Sequence, residues 1–231
     1  QAMTGIDADL VRPVQRRLEK LGVKFVFNAK AKAAKKTGKT VEVSYEVEGK
    51  PQTQSAEKVL VAVSFRPNTE NVGLEKTGVK LDAKGFIPVN EKLQTNVPRI
   101  YAIGDCTGSP LLAHRAMKQG EVAAGVIAGH KGAAYDVVAM PGGAFTDPEI
   151  ATVGLTEAKA KEAGYDPLVG KFFFGANGRA VASGAGEGFV KAVVDRKTHV
   201  LLGVHIVGQN ANDMIAEACV ALELGALADD L

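Results

Sequence analysis

The sequence is poor in the residues that staple or anchor a protein. It has no tryptophan, an aromatic fraction of 6%, and two cysteines, Cys106 and Cys219, among 231 residues. Two thiols cannot build a disulfide framework or a four-thiolate zinc site. No apolar run approaches the ~18 residues needed to cross a bilayer, so no membrane-spanning helix is expected. Neither sign of charge dominates. The 28 basic and 26 acidic side chains leave a net +2, which gives no reason to expect nucleic acid or a membrane surface as a partner. The opening QAMTGIDADLVRPVQ has neither an initiator Met nor the features of a secretory or transit peptide. It reads as the middle of a longer polypeptide, and a cytoplasmic location is the expectation. What remains, 46% hydrophobic and 23% charged, is the balance of an ordinary globular chain.

Periodicity organises that chain into three parts. Val11, Val14, Leu18 and Leu21 recur at helical spacing, with Asp7 as N-cap and Gly22 past the C-terminus. Residues 23–27 predict a buried strand, and the Ala- and Lys-rich residues 30–39 a solvated connector. Residues 40–47 alternate Val41, Val43, Tyr45 and Val47 with polar side chains, which predicts a half-buried antiparallel strand. Gly49 turns it toward a partner near residues 52–55. Residues 59–63 (VLVAV) predict a strand covered on both faces. A polar, turn-rich stretch, residues 64–73, marks a boundary. Residues 85–89 predict a short strand. Residues 99–103 lead into Gly104-Asp105, and a helix follows over about 111–128.

Beyond about residue 135 the texture changes. Thr156 opens a short helix closed by Gly164, strands are predicted near 170–175, 188–195 and 200–207, and a last helix over 212–224 carries Ile215, Cys219 and Leu222 on one face. The expected fold class is therefore mixed: α/β in the first half, α+β in the second.

The strongest chemical signal is Ile100–Asp105 (IYAIGD) followed by Leu111-Leu-Ala-His114. An Asp at the end of a strand can accept a hydrogen bond from a ligand hydroxyl, and the N–H groups that open the next helix can face an anionic or electron-rich ligand edge. A structural Asp that caps the turn is the other reading, and the residues leave both open. The remaining candidates favour bland roles. His114, His130, His199 and His205 lack ligand spacing with Cys or with each other, so no metal site is expected; His205 reads as a half-buried strand residue. Cys106 reads as a small buried side chain and Cys219 as core packing. Asp147-Pro-Glu149 reads as a capped or solvated corner, Asn177 as turn chemistry, and Arg179 stays open.

Five segments, in order, carry a resemblance: residues 61–69 (VAVSFRPNT), 100–117 (IYAIGD with LLAHRAM), 145–154 (FTDPEIATVG), 171–180 (KFFF with ANGRA) and 202–208 (LGVHIVG). Together they resemble the pyridine-nucleotide disulfide oxidoreductases over nearly the whole chain. The similarity is greatest to the branch that reoxidises dihydrolipoyl groups of 2-oxoacid dehydrogenase complexes with NAD+. The resemblance implies FAD and NAD as cofactors, a homodimer, and the lipoyl domain of such a complex as partner. It implies that residues 1–69 are the C-terminal part of an NAD-binding domain, 70–138 a returning FAD-binding segment, and 139–231 a dimerisation domain cut short at its end. Asp105 would hydrogen-bond the ribityl chain of FAD, Gly104 would belong to the same cofactor site, and the backbone of Leu111, Leu112, Ala113 and His114 would face the flavin's pyrimidine edge. Ser64 would stand beside the nicotinamide half of NAD and Ala31 on its adenine side.

Departures accompany the resemblance. Ser64-Phe65 replaces the Gly-Arg usual in the family turn, and Ser permits less close approach than Gly. Neither cysteine belongs to a closely spaced redox pair, no Gly-x-Gly-x-x-Gly opens a helix after a strand, and the family's His-Pro and Glu base would lie beyond Leu231. The chain is expected to be inactive alone. A related flavin disulfide reductase acting on mercuric ion or glutathione, and a non-catalytic dimerisation fragment, are the alternatives.

Overall fold

A computed structural model describes residues 2–231. Packing divides the chain into two compact units, one made of the residues up to Val63 together with Gly143–Leu231, the other of Ser64–Gly142.

The first unit opens with helix α1, Ala8–Lys20, in the predicted place. Leu10, Val11 and Val14 are buried and pack with Ile150, Phe189 and Val207 in one core cluster. Residues 23–27 form no strand, which corrects the expectation: they run irregularly, largely exposed. The same holds for residues 59–63, where Leu60 is 90% and Val63 84% exposed. Both runs have the composition of a covered strand, but no strand among the described residues pairs with either, and an unpaired strand has no ladder to hold it.

The expected solvated connector is instead a strand, β1, Ala29–Thr37. It is exposed as foreseen, yet it pairs antiparallel with β2, Thr40–Val47, through the turn at Gly38. Ladder pairing in a tight hairpin overrides the low β-propensity of Ala and Lys. β2 pairs in turn with β3, Lys50–Ala56, completing a three-stranded sheet.

In the C-terminal half of this unit the three predicted strands and two predicted helices lie near their expected places, while the strands at 142–144 and 149–154 and the short helix at 178–182 go beyond the prediction. Strands β4 (Gly142–Ala144), β5 (Glu149–Gly154), β6 (Pro167–Phe173), β7 (Phe189–Asp195) and β8 (Leu201–Gly208) form a sheet in the order β4-β5-β8-β7-β6. Helix α3, Glu157–Glu162, is capped by Thr156, whose hydroxyl accepts from Lys159 N at 3.2 Å. Asn177 caps α4, Gly178–Ala182, by accepting from Ala180 N at 3.0 Å. Helix α5, Ala211–Glu223, lies on β5 and β8. Glu149 Oε2 accepts from Asn212 N and Nδ2 at 3.1 and 3.0 Å, so the Asp-Pro-Glu corner does cap a helix.

Beneath α1 the sheet buries charge. Lys191 on β7 reaches Asp7 at 2.5 Å and Asp9 at 3.0 Å, and Asp9 also meets Lys171 at 2.6 Å. Burial pushes the Asp9 carboxyl up, but hydrogen bonds from Lys171 and Lys191 outweigh it and hold the group below its usual range. Opposite Lys191 in the ladder stands His205, only 1% exposed rather than half-buried as expected. β8 is the central strand and is covered on both faces. His205 Nε2 donates to Leu155 O at 3.0 Å, and Nδ1 has no partner among the described residues.

Burial, reinforced by Lys191, pushes the His205 imidazole below its ordinary value. The folded protein therefore holds His205 neutral where the unfolded chain protonates it. Stability should be full above about pH 6.5 and fall as the pH drops below it. Urea midpoints at pH 7 and 5.5 measure this fall, and His205→Gln should flatten it; an unchanged pH slope in that variant would refute the assignment.

The second unit is built on two small apolar clusters, Val79, Ile87 and Ala102, and Leu93, Val122 and Ala123. The strands expected at 85–89 and at 99–103, before Gly104-Asp105, are both absent. Ile87 N donates to Cys106 O at 2.7 Å, and Gln94 and Tyr101 form an isolated bridge, so single bonds replace a ladder. The predicted helix is α2, Ala113–Ile127.

Candidate functional site

The site lies where the chain turns into α2. Residues Gly104–Thr107 make one 3-10 turn. Gly104 has φ +75°, and a Cβ there would stand 3.2 Å from Ala116 Cβ, so both conformation and space select glycine. The Thr107 hydroxyl donates back to Gly104 O at 2.7 Å and closes the turn. Asp105 is exposed on it, and its carboxylate makes no hydrogen bond among the described residues. The capping role that the sequence left open is thus not what the side chain does.

Helix α2 begins after Leu112, a residue that cannot cap, and no side chain takes its first N–H groups. Those donors, with the positive end of the helix dipole, are open to an acceptor. Leu111 and Leu112 are half-buried, and Ala113 and His114 are exposed. The His114 ring donates from Nε2 to Pro141 O at 2.8 Å.

Two polar residues of this region escaped sequence reasoning. Arg115 and Gln119, 8% and 1% exposed, lie one turn apart on the inner face of α2. Gln119 Oε1 accepts from Gly104 N at 2.7 Å. Arg115 Nη1 donates to Gly108 O at 2.8 Å, and Nη2 to Thr107 Oγ1 at 3.2 Å. Both residues border a cleft of about 460 Å³ with Thr107, Glu91 and Tyr135. The available signal was an i, i+4 pair of long polar side chains in line with Val122 and Ala123.

Cys106 sits in the same turn. Its thiol donates to Ile103 O at 3.2 Å, and burial pushes its pKa up, against a thiolate role. Cys219 is likewise raised by burial. Both cysteines are free, one in each unit.

The two expected NAD contacts lie in different units. Ala31 is an exposed residue of β1, facing Tyr45 where the ladder register shifts. Ser64 is exposed, its hydroxyl donating to the neighbouring Phe65 O at 3.3 Å. Arg179 borders a separate cleft of about 550 Å³ with Phe174, Ser183, Gln209 and Asp213. No helix among the described residues is long and apolar enough to cross a membrane.

A glycine-tight turn with an exposed, unbonded carboxylate thus precedes an uncapped helix in a mixed α/β fold. The chain belongs to the pyridine nucleotide-disulphide oxidoreductase family, whose model matches residues 1–120 and whose dimerisation domain matches residues 140–231. That family uses FAD and NAD.

Among curated relatives, dihydrolipoyl dehydrogenase of Geobacillus stearothermophilus is 45% identical over 100% of this chain and 49% of its own length. The enzyme of the same name from Thermus scotoductus is 47% identical over 97% of this chain and 49% of its own. The chain thus spans about half the length of the curated relatives it matches. Among solved structures, LpdA from Mycobacterium tuberculosis superposes with a TM-score of 0.88 at 29% identity, covering 96% of this chain and 48% of that one. The flavoprotein disulfide reductase RclA from Escherichia coli gives 0.88 at 24% identity over 98% and 52%, a likeness of fold.

Proposed function

We propose that this chain is the part of a dihydrolipoyl dehydrogenase that closes the flavin site and carries the subunit interface. In this assignment residues 1–69 complete an NAD-binding domain, 70–138 return to the FAD domain, and 139–231 form the dimerisation domain. The single observation that carries it is Asp105, an unpartnered carboxylate at the entrance to an uncapped α2. Acceptor and donors suit FAD: the carboxylate can accept from ribityl hydroxyls, and the Leu111–His114 backbone can face the carbonyl-rich edge of the ring. Gly104 keeps the turn tight enough for that approach. When bound, FAD supplies the two-electron carrier between a dithiol and NAD+.

The chain's own residues would bind and orient. Asp105 holds the polyol, the N-terminus of α2 stabilises negative charge on the ring's edge, and Ala31 and Ser64 border NAD. The parent works as a homodimer in the cytoplasm and receives the lipoyl domain of a 2-oxoacid dehydrogenase complex. The resemblance of residues 140–231 to a dimerisation domain supports the first of these points.

Two free, unpaired cysteines cannot exchange electrons with a dihydrolipoyl group. The 231-residue chain by itself should therefore show no NAD+-dependent oxidation of dihydrolipoamide, whereas the complete natural protein that contains it should. Turnover by a preparation proven by mass to be this chain alone would overturn that division of labour. Failure of the complete protein to take up FAD would overturn the flavin role itself.

A further inference from the structure

We infer that Arg115 and Gln119 are positioning residues that set the Asp105 carboxylate relative to the N-terminus of α2, an assignment that rests on the flavin role proposed above for Asp105.

Core packing alone does not account for this pair. The neighbours one and two turns along, Val122 and Ala123, show that an apolar side chain suffices on this face. Burying a guanidinium or an amide is unfavourable unless its polar atoms are satisfied. Arg115 forms no ion pair among the described residues; its partners are Gly108 O, Pro110 O, Thr107 Oγ1 and, at 3.5 Å, Gly104 O. Those oxygens converge because Gly104 and Gly108 have φ of +75° and +114°, a path open to glycine.

The bonds bracket Asp105 on both sides. Just before it, Gly104 N is taken by Gln119 and Gly104 O by the Thr107 hydroxyl. Just after it, Thr107 Oγ1 and Gly108 O are taken by Arg115. Every anchor on the α2 side lies within the first two turns of the helix whose N-terminus faces the same ligand. The backbone on either side of Asp105 is thus tied to α2, and the carboxylate alone is left to a ligand. That division is preorganisation: the geometry is fixed before the ligand arrives.

The test uses the complete natural protein, stripped of flavin and titrated with FAD by fluorescence quenching. Gln119→Leu, which loses the bond from Gly104 N, and Thr107→Val, which loses those to Gly104 O and from Arg115, should each raise the FAD dissociation constant about tenfold or more. Gln119→Glu, which keeps the acceptor, should restore most of it. In an Asp105→Ala background, Gln119→Leu should change affinity by less than about twofold, because residues acting through one another are not additive.

Thermal unfolding of the flavin-free variants separates folding from positioning, and Thr107→Val carries the test if Gln119→Leu does not fold. Additive losses in the double variant, or unchanged affinity in the single ones, would overturn the positioning role while leaving Asp105 in place. Absence of FAD uptake by the unaltered protein would instead overturn the flavin role, and this inference with it.

Discussion

Lys191→Met is expected to lower the free energy of unfolding by about 3 kcal/mol, the lower end of what breaking a buried ion pair removes. The Lys191 side chain is 5% exposed, while those of Asp7 and Asp9 are 28% and 31% exposed. Removing the cation leaves two carboxylates under α1 with only Lys171 to answer Asp9. Their partial exposure lets water soften the loss, which is why the full range is not reached. Met nearly preserves the volume, so the change reports charge rather than a cavity.

A drop in the urea midpoint at constant slope is the measurement, and an unchanged midpoint would show that the cluster contributes nothing. Adding Asp7→Asn and Asp9→Asn should recover part of the loss. The effect also has a pH signature. The Asp9 carboxyl lies below its unfolded value when folded, so its contribution is present above about pH 4 and is lost as the pH falls through the folded value. The difference between the natural protein and Lys191→Met should shrink in that acid range.

Gly154→Ala should lower stability by a similar amount, about 3 kcal/mol, by two separate mechanisms. Gly154 has φ +75°, where an L side chain adds about 1–2 kcal/mol of strain. A Cβ there would also overlap Leu202 O and stand 2.8 Å from Gly203 Cα. Both are backbone atoms of the facing strand, and they cannot retreat without opening the β5–β8 ladder that pairs Gly154 with Gly203. Overpacking of that kind adds about 1–3 kcal/mol. Gly164→Ala is the control. Its φ is +87°, but no atom lies within 4 Å of where the new methyl would stand, so it should show the strain alone. Equal midpoints for the two variants would remove the case for a backbone clash.

These two sites also mark what a sequence can and cannot disclose. The C-terminal half was readable because its signals are local. Thr156 caps the helix it precedes, and the apolar run at Phe189–Asp195 forms a buried strand; Asn177, read as turn chemistry, caps a short helix that was not foreseen. Residues 23–27 and 59–63 misled because hydrophobicity records a need for cover and says nothing about whether a neighbouring strand is there to give it. Residues 29–37 misled in the opposite sense: Ala and Lys carry no strand signature, and the pairing comes from the Gly38 turn and from β2.

At the site, Gly104, Asp105 and the start of α2 were legible because a Gly-Asp turn leading into a helix has a recognisable chemistry, although the strand expected before it is only a single bridge at Tyr101. Arg115 and Gln119 were not, since a helix carries polar residues on its outer face far more often than its inner one. The Lys191–Asp7 contact joins positions 184 apart, and His205 is buried by layers above and below that no local pattern announces.

The uncovered run at residues 59–63 has a consequence of a different kind. Val59-Leu-Val-Ala-Val63 is uncharged and rich in β-branched side chains, has no proline, and takes part in no ladder among the described residues. Such a run is a template for cross-strand addition by another molecule of the same kind. For the 231-residue chain by itself, self-association through this run is therefore set by concentration and by the rate of encounter between molecules, and strengthening the cores under α1 and α2 leaves it untouched.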